Sequence, residues 1–306
     1  MSVVIDVRGL RKTYGTVVAI DDVSFQVEEG EIFGIIGPNG AGKTTTIECL
    51  EGLRRPDGGM VRVLGRDPWR ERRQLALDIG VQLQESELPD RLRVGEALTL
   101  FASFFPRSLD PRVLLHELGL AELVRTPFGK LSGGQKQRLF FALALVHDPR
   151  LLFLDELTTG LDPQARQTVW EIVRTVRARG KTIILSTHLM DEAEALCDRV
   201  AVFHRGRIVA LDSPSRLIAQ VVGGLRVSVR IPGHVAVPAL DGLPGVRAVE
   251  RSADTLVVHA ADDHAVALVV QTLTEHGIPL DELRVSSGRL EDAYLVLTDG
   301  MPSGKG

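Results

Sequence analysis

Aromatic side chains are scarce in this chain, at 5% of 306 residues. That shortage argues against a protein that holds single-stranded nucleic acid by stacking its bases along a surface. Cysteine is scarcer still. Cys49 and Cys197 are the two, far apart in sequence and each without a metal-ligand partner at useful spacing. No disulfide framework is expected, and a reduced, cytoplasmic setting fits. Positive charge is not in excess either: the formal net charge is −4, which removes the global electrostatic case for a nucleic-acid partner. Local pairs such as Arg54-Arg55 and Arg72-Arg73 read as solvated faces. No apolar run approaches about 18 residues, so no transmembrane helix is expected. Met1 to Asp6 lacks a basic stretch followed by an apolar one, so no signal peptide is expected. Work on a membrane would need spans from another chain.

What is present is organised around Gly37-Pro38-Asn39-Gly40-Ala41-Gly42-Lys43-Thr44-Thr45. This stretch fits G-x-x-x-x-G-K-[ST], the phosphate-cradling loop. Its glycines let the backbone curl around a phosphate, with successive N–H groups pointing inward. The helix that follows adds its positive N-terminal end. Lys43 reaches the β- and γ-phosphates, and the Thr44 hydroxyl is placed to hold Mg²⁺. Residues 31–36 read as a buried strand before the loop, and residues 45–50 as a helix after it. A chance glycine-rich turn would not sit in that context.

Residues 3–8, 17–20 and 23–27 read as strands ahead of the loop. Tyr14, between the first two, is available to stack on a base, although a tyrosine taken alone is more often core than ligand. Further strands are expected at 61–65 and 79–84, then a helical insertion that includes helices at 94–105 and 111–118. Ser132-Gly133-Gly134-Gln135 opens the next helix, a second potential anion site by the same exposed N–H reasoning. The plainer alternative there is an ordinary serine cap.

Leu151 to Leu154 is a buried-strand run that ends in two carboxylates, Asp155 and Glu156. Carboxylates at that end of a parallel strand lie where open α/β sheets bind ligands. One can hold Mg²⁺ and the next can orient a water. Asp162 and Pro163 start another helix, and residues 182–186 form another buried strand that delivers His188 to the same edge. After Asp212-Ser213-Pro214 and Gly223-Gly224 the chain changes style. The order β-α-β-β-α-β over the tail, with a short first helix at 235–240, suggests a small ferredoxin-like α+β domain. The expected organisation is residues 1–222 as one domain with a helical part at about 86–148, residues 223–300 as an accessory domain, and 301–306 as a disordered tail.

With these motifs in order over about residues 3–220, the sequence resembles an ABC transporter ATP-binding subunit: a P-loop α/β cassette with a helical subdomain. The tail and the Leu290-Glu291-Asp292-Ala293-Tyr294 stretch are similar to the drug-exporter, daunorubicin-resistance-type branch. The resemblance implies ATP and Mg²⁺, with Gly37 to Thr45 on the phosphates and Tyr14 on adenine. It implies Mg²⁺ contacts from Thr44, Asp155 and Gln84, the last favoured over its neighbour Gln82. Glu156 would be general base and His188 the switch histidine. Asp162 would lie at a dimer seam. Ser132, Gly133, Gly134 and Gln135 would hold ATP bound by a second cassette, which explains two anion sites in one chain. The implied partners are a separate membrane permease and a second copy of the cassette at the cytoplasmic face, with no nucleic acid. One departure is Leu157, where the family usually has proline; it removes a φ constraint from that loop. A soluble ABC-type ATPase acting on ribosomes or DNA usually has two cassettes or a long coiled coil, and neither is visible here. A small-molecule kinase would lack the Ser-Gly-Gly-Gln element.

Overall fold

A computed structural model describes residues 2–82, 87–221, 223–231, 237–252, 254–280 and 282–299. The chain opens with two long antiparallel strands, β1 (Val3–Tyr14) and β2 (Val17–Glu28). The run expected at 3–8 therefore extends to Tyr14, and those expected at 17–20 and 23–27 are one strand. Gly9 and Asp22 take left-handed φ values of 59° and 61°, and the pairing register shifts between Val7 and Leu10. Bulges of this kind break the period-2 pattern in the sequence without ending the strand.

β3 (Ile32–Ile36) is buried throughout and leads into the glycine loop and α1 (Lys43–Leu50). β4 (Gly58–Val63) returns to pair with β1, giving a three-stranded antiparallel sheet in the order β2-β1-β4. The short α2 (Arg72–Leu75) precedes β5 (Ile79–Gln82). The helical section follows with α3 (Val94–Ala102), α4 (Pro111–Glu117) and α5 (Gly133–Leu145). Asp110 caps α4 by accepting from the Arg112 amide at 2.8 Å, with Pro111 at the first position, where its missing N–H costs nothing.

β6 (Leu151–Asp155), α6 (Pro163–Ala178), β7 (Thr182–Thr187), α7 (Met190–Leu196), β8 (Arg199–His204) and β9 (Arg207–Asp212) complete the first unit. The main sheet runs β5-β6-β7-β3-β8-β9, parallel until β9 turns back against β8. β6 and β7 are buried along their whole length, as parallel strands covered on both faces must be. The two sheets share one core. Phe25 of β2 stacks on Phe33 of β3 with centroids 5.2 Å apart, and Ile47 and Leu50 of α1 join the same cluster. Cys49 and Cys197 are free thiols inside the protein; burial pushes Cys49 up to about 11 and Cys197 well above its ordinary value, so both are unreactive.

The compact units divide between Ser213 and Pro214, earlier than the expected boundary at 222. The reason is α8 (Pro214–Val221), which packs against the last helix of the second unit. That unit contains β10 (Leu225–Arg230), β11 (Val246–Ser252), β12 (Thr255–Ala260), α9 (Asp263–Glu275), β13 (Arg284–Ser287) and α10 (Leu290–Asp299). Its sheet is antiparallel in the order β11-β12-β10-β13. Val227, Val229, Leu256 and Val258 turn one face of it toward Val269 and Leu273 of α9, a pair at i,i+4 spacing. The helix expected at 235–240 is not formed at 237–240, and 235–236 lie outside the described residues.

Candidate functional site

The carboxyl ends of β3, β6 and β7 meet at one edge, because these strands are neighbours in a parallel sheet. The loop after β3 is shaped by its glycines. Gly37, Gly40 and Gly42 have φ values of 151°, 80° and 101°. A Cβ on Gly37 would lie 2.4 Å from the Phe203 carbonyl oxygen, and one on Gly42 2.5 Å from that of Ala19. Glycine is thus required at both places for close approach of backbone to backbone. The turn between β8 and β9 buttresses the loop, with the Gly206 amide donating to the Ala41 carbonyl at 3.0 Å. Pro38, Asn39, Gly40 and Thr44 are exposed at the loop surface, Thr45 is half-buried, and Lys43 starts α1.

Lys43 is buried and donates to the carbonyls of Gly37 at 2.9 Å and Pro38 at 3.2 Å. Its ammonium therefore spans the cradle. Burial lowers its pKa, opposed by the charges of Glu156 and Asp155. Asp155 ends β6 and accepts from the hydroxyls of Ser186 and Thr44. Burial raises its carboxyl above the ordinary range, and the Ser186 bond works against that rise. Ser186 was not singled out from the sequence; its signal was its place at the end of a buried strand.

Glu156 follows with a left-handed φ of 50° and its amide donates to the Ser186 carbonyl at 3.0 Å. This bend turns its side chain to within 3.2 Å of His188 Nδ1 and 4.0 Å of Lys43 Nζ. Leu157, in place of the family's proline, is fully buried. The loop is fixed by that packing and by Thr158, whose hydroxyl donates to Glu192 Oε1 at 2.7 Å. The same Glu192 oxygen accepts from Trp170 Nε1 at 3.1 Å. Neither Thr158 nor Glu192 was predicted as part of the site, and only the folded chain joins α7 to this loop.

The four residues Ser132, Gly133, Gly134 and Gln135 begin α5. Ser132 Oγ accepts from the Gln135 amide and Gln135 Oε1 accepts from the Ser132 amide, a reciprocal cap. The helix geometry leaves the amides of Gly133 and Gly134 without intrahelical acceptors. They line a cleft of about 350 Å³ together with Asp162 and Ala165. Asp162 caps α6, accepting from the Ala165 amide at 2.9 Å. Tyr14 ends β1 at 40% exposure, on the tip of a tight hairpin. Gln84 lies outside the described residues. Gln82, the less favoured neighbour, is buried at the end of β5 and bonds Gln137 of α5 at 2.8 Å.

A parallel sheet with a glycine phosphate cradle, a buried lysine and two carboxylates at its strand ends defines a phosphate-loop nucleotide hydrolase. The comparisons with known proteins narrow this. The ABC transporter family profile matches residues 20–159. The chain is 38% identical over 303 residues to the Nod factor export ATP-binding protein I of Ralstonia nicotianae, covering 96% of this chain and 94% of the relative. It is 42% identical over 296 residues to the protein of that name from Paraburkholderia xenovorans, covering 94% and 95%. Among solved structures, an ATP-binding subunit of an ABC transporter aligns at 30% identity with a TM-score of 0.64, over 71% of this chain and 92% of that one. The chain belongs to the ABC transporter ATP-binding subunits: it binds ATP and is an ATPase whose hydrolysis is coupled to transport.

Proposed function

We propose that this chain is the ATP-hydrolysing subunit of an exporter, working at the cytoplasmic face of the membrane on a permease supplied by another chain. Among the described residues no helix is long and apolar enough to cross a membrane, which accords with a separate permease. Relatives matching over nearly the whole chain carry the name of Nod factor export proteins. A drug-like or other small amphipathic cargo is the substrate class we assign to it.

The observation that carries the reading is that one chain presents two amide-lined helix starts, those of α1 and α5. Gly37 to Thr45 would hold the phosphates of one ATP, and Ser132 to Gln135 would close over the ATP of a second copy, with Asp162 at the seam. Tyr14 would stack on adenine. The Lys43 ammonium would neutralise the charge that develops on the transferring phosphoryl group. Glu156 would take the proton of the attacking water, and His188, 3.2 Å away, would orient it and contact the γ-phosphate. Thr44 and Asp155 bring a hydroxyl and a carboxylate together, a donor set that fits Mg²⁺; Gln84, outside the described residues, would be the further ligand. Among the described residues no cluster of three His, Cys, Asp or Glu side chains could cage a metal; a cation here would share its shell with phosphate and water. Bound Mg²⁺ would supply charge neutralisation on the phosphate oxygens.

The permease would dock at the helical section. A cavity of about 600 Å³ opens there between Ile79 and Val81 on one side and Phe101, Phe105 and Phe140 on the other. Glu51 Oε2, Gln82 Oε1 and His147 Nδ1, all on residues lining it, have no hydrogen-bond partner among the described residues. Residues 223–300 would form a ferredoxin-like accessory domain, supported by the strand order β11-β12-β10-β13.

The test is affinity purification of tagged Glu156→Gln protein from its native cells with ATP present. A polytopic membrane protein in stoichiometric amount is the expected companion. Ribosomes or DNA-bound proteins without any membrane protein would overturn the transporter reading.

A further inference from the structure

Asp57 lies in the turn before β4, far from Tyr14 in sequence, yet it holds the three residues that lead into Tyr14. Its Oδ1 accepts from Lys12 Nζ at 2.9 Å. Its Oδ2 accepts from the Thr13 amide at 2.7 Å and the Thr13 hydroxyl at 2.9 Å. Its own amide donates to the Arg11 carbonyl at 2.9 Å. These bonds hold the Asp57 carboxyl well below the usual carboxylate range, at about 2, so it stays ionised at any pH of interest.

The clamp continues to the ring. Lys12 Nζ, fixed by Asp57, lies 5.5 Å from the Tyr14 ring centroid. The Arg54 guanidinium, held by Glu48 at 2.8 Å, lies 5.8 Å from it. Two anchored cations therefore meet an aromatic ring that is otherwise open to solvent. An aromatic side chain at a hairpin tip has rotamer freedom to lose on stacking, and ordering it in advance lowers that cost.

We propose that Asp57 is a positioning residue for nucleotide recognition, holding Tyr14 in its base-stacking orientation through Lys12 and Thr13. The inference rests on the reading that Tyr14 stacks on adenine. A purely structural role for Asp57, as a brace of the turn, would affect every ligand of the phosphate loop alike. A positioning role touches the base and spares the phosphates.

The experiment measures dissociation constants of the full chain for ATP and for inorganic tripolyphosphate, which has no base. The proteins compared are wild type, Asp57→Ala, Asp57→Asn, Tyr14→Ala and the Asp57→Ala/Tyr14→Ala double variant. Asp57→Ala should weaken ATP about five- to tenfold, a part of a full stacking contribution. Tripolyphosphate should stay within about twofold, and the Asp57 effect should vanish in the Tyr14→Ala background. Asp57→Asn keeps one acceptor oxygen but not the charge that fixes Lys12, and should fall between. Equal losses for both ligands, or an undiminished Asp57 effect without Tyr14, would overturn the proposal. A Tyr14→Ala chain with an unchanged ATP-to-tripolyphosphate ratio would overturn the stacking reading itself, and the proposal with it.

Discussion

Glu156 Oε1 and His188 Nδ1 stand 3.2 Å apart, although their residues belong to different strand ends. The pairing of Asp155 with Ser186 across β6 and β7 sets the spacing, and the left-handed turn at Glu156 aims the carboxylate across it. A carboxylate and an imidazole so placed can share the work of holding and deprotonating a water.

His188→Ala should therefore lower kcat by about 10²–10⁴-fold, because Glu156 loses the group that orients it. The dissociation constant for ATP should change by less than about threefold, since a group acting in the transition state contributes little to ground-state binding. Steady-state hydrolysis together with equilibrium nucleotide binding checks both halves.

If each ATP is closed by the α5 start of a second copy, two inactive variants should rescue each other. Lys43→Ala disables a chain's own cradle, and Ser132→Arg blocks the cleft beside Asp162. Mixed together, they form some dimers with one intact composite site. Hydrolysis by the mixture, absent from either protein alone, is the expected result; no rescue at any mixing ratio would contradict the head-to-tail arrangement.

Glu51 predicts a pH dependence of stability. Burial, helped by the charges of Asp155 and Glu48, raises its carboxyl from 4.5 to about 8. The folded chain thus keeps a proton that the unfolded chain releases near pH 4.5. The folded state binds more protons between these values, so stability is greatest at the acid end and falls as pH rises toward 8. Glu51→Gln removes the ionisation. Its Tm should exceed that of wild type at about pH 8, by a margin that shrinks toward pH 5. A gap of the same size at both pH values would exclude Glu51 as the cause.

Much of this organisation was legible in the sequence, and the reason is local. The glycine loop must follow a strand and start a helix, so Gly37 to Thr45 carry their own context. The run Leu151 to Leu154 before Asp155 and the Ile183-Ile184-Leu185 run before Ser186 have the apolar character of buried parallel strands. Other features depend on contacts that sequence spacing does not encode. The irregularity at Gly9 lets β1 run on past the expected end at residue 8, and that at Asp22 joins two runs that periodicity divides. α8 follows turn signals that read as a boundary, yet it packs with α10. Glu51 directly follows the helix expected at 45–50, and nothing in the pattern shows that its carboxyl is buried. Asp57 looks like a turn residue beside Pro56 and Gly58, which it is; its grip on Lys12 and Thr13 is long-range.

The most direct test of the account is ATP hydrolysis by Glu156→Gln, measured beside its ATP affinity. The amide keeps the shape of the side chain but cannot accept the water's proton. Turnover should fall by about 10²–10⁴-fold with ATP binding retained. A variant that binds ATP and hydrolyses it at the wild-type rate would contradict the assignment of Glu156 as the base, and with it the mechanism built on that strand edge.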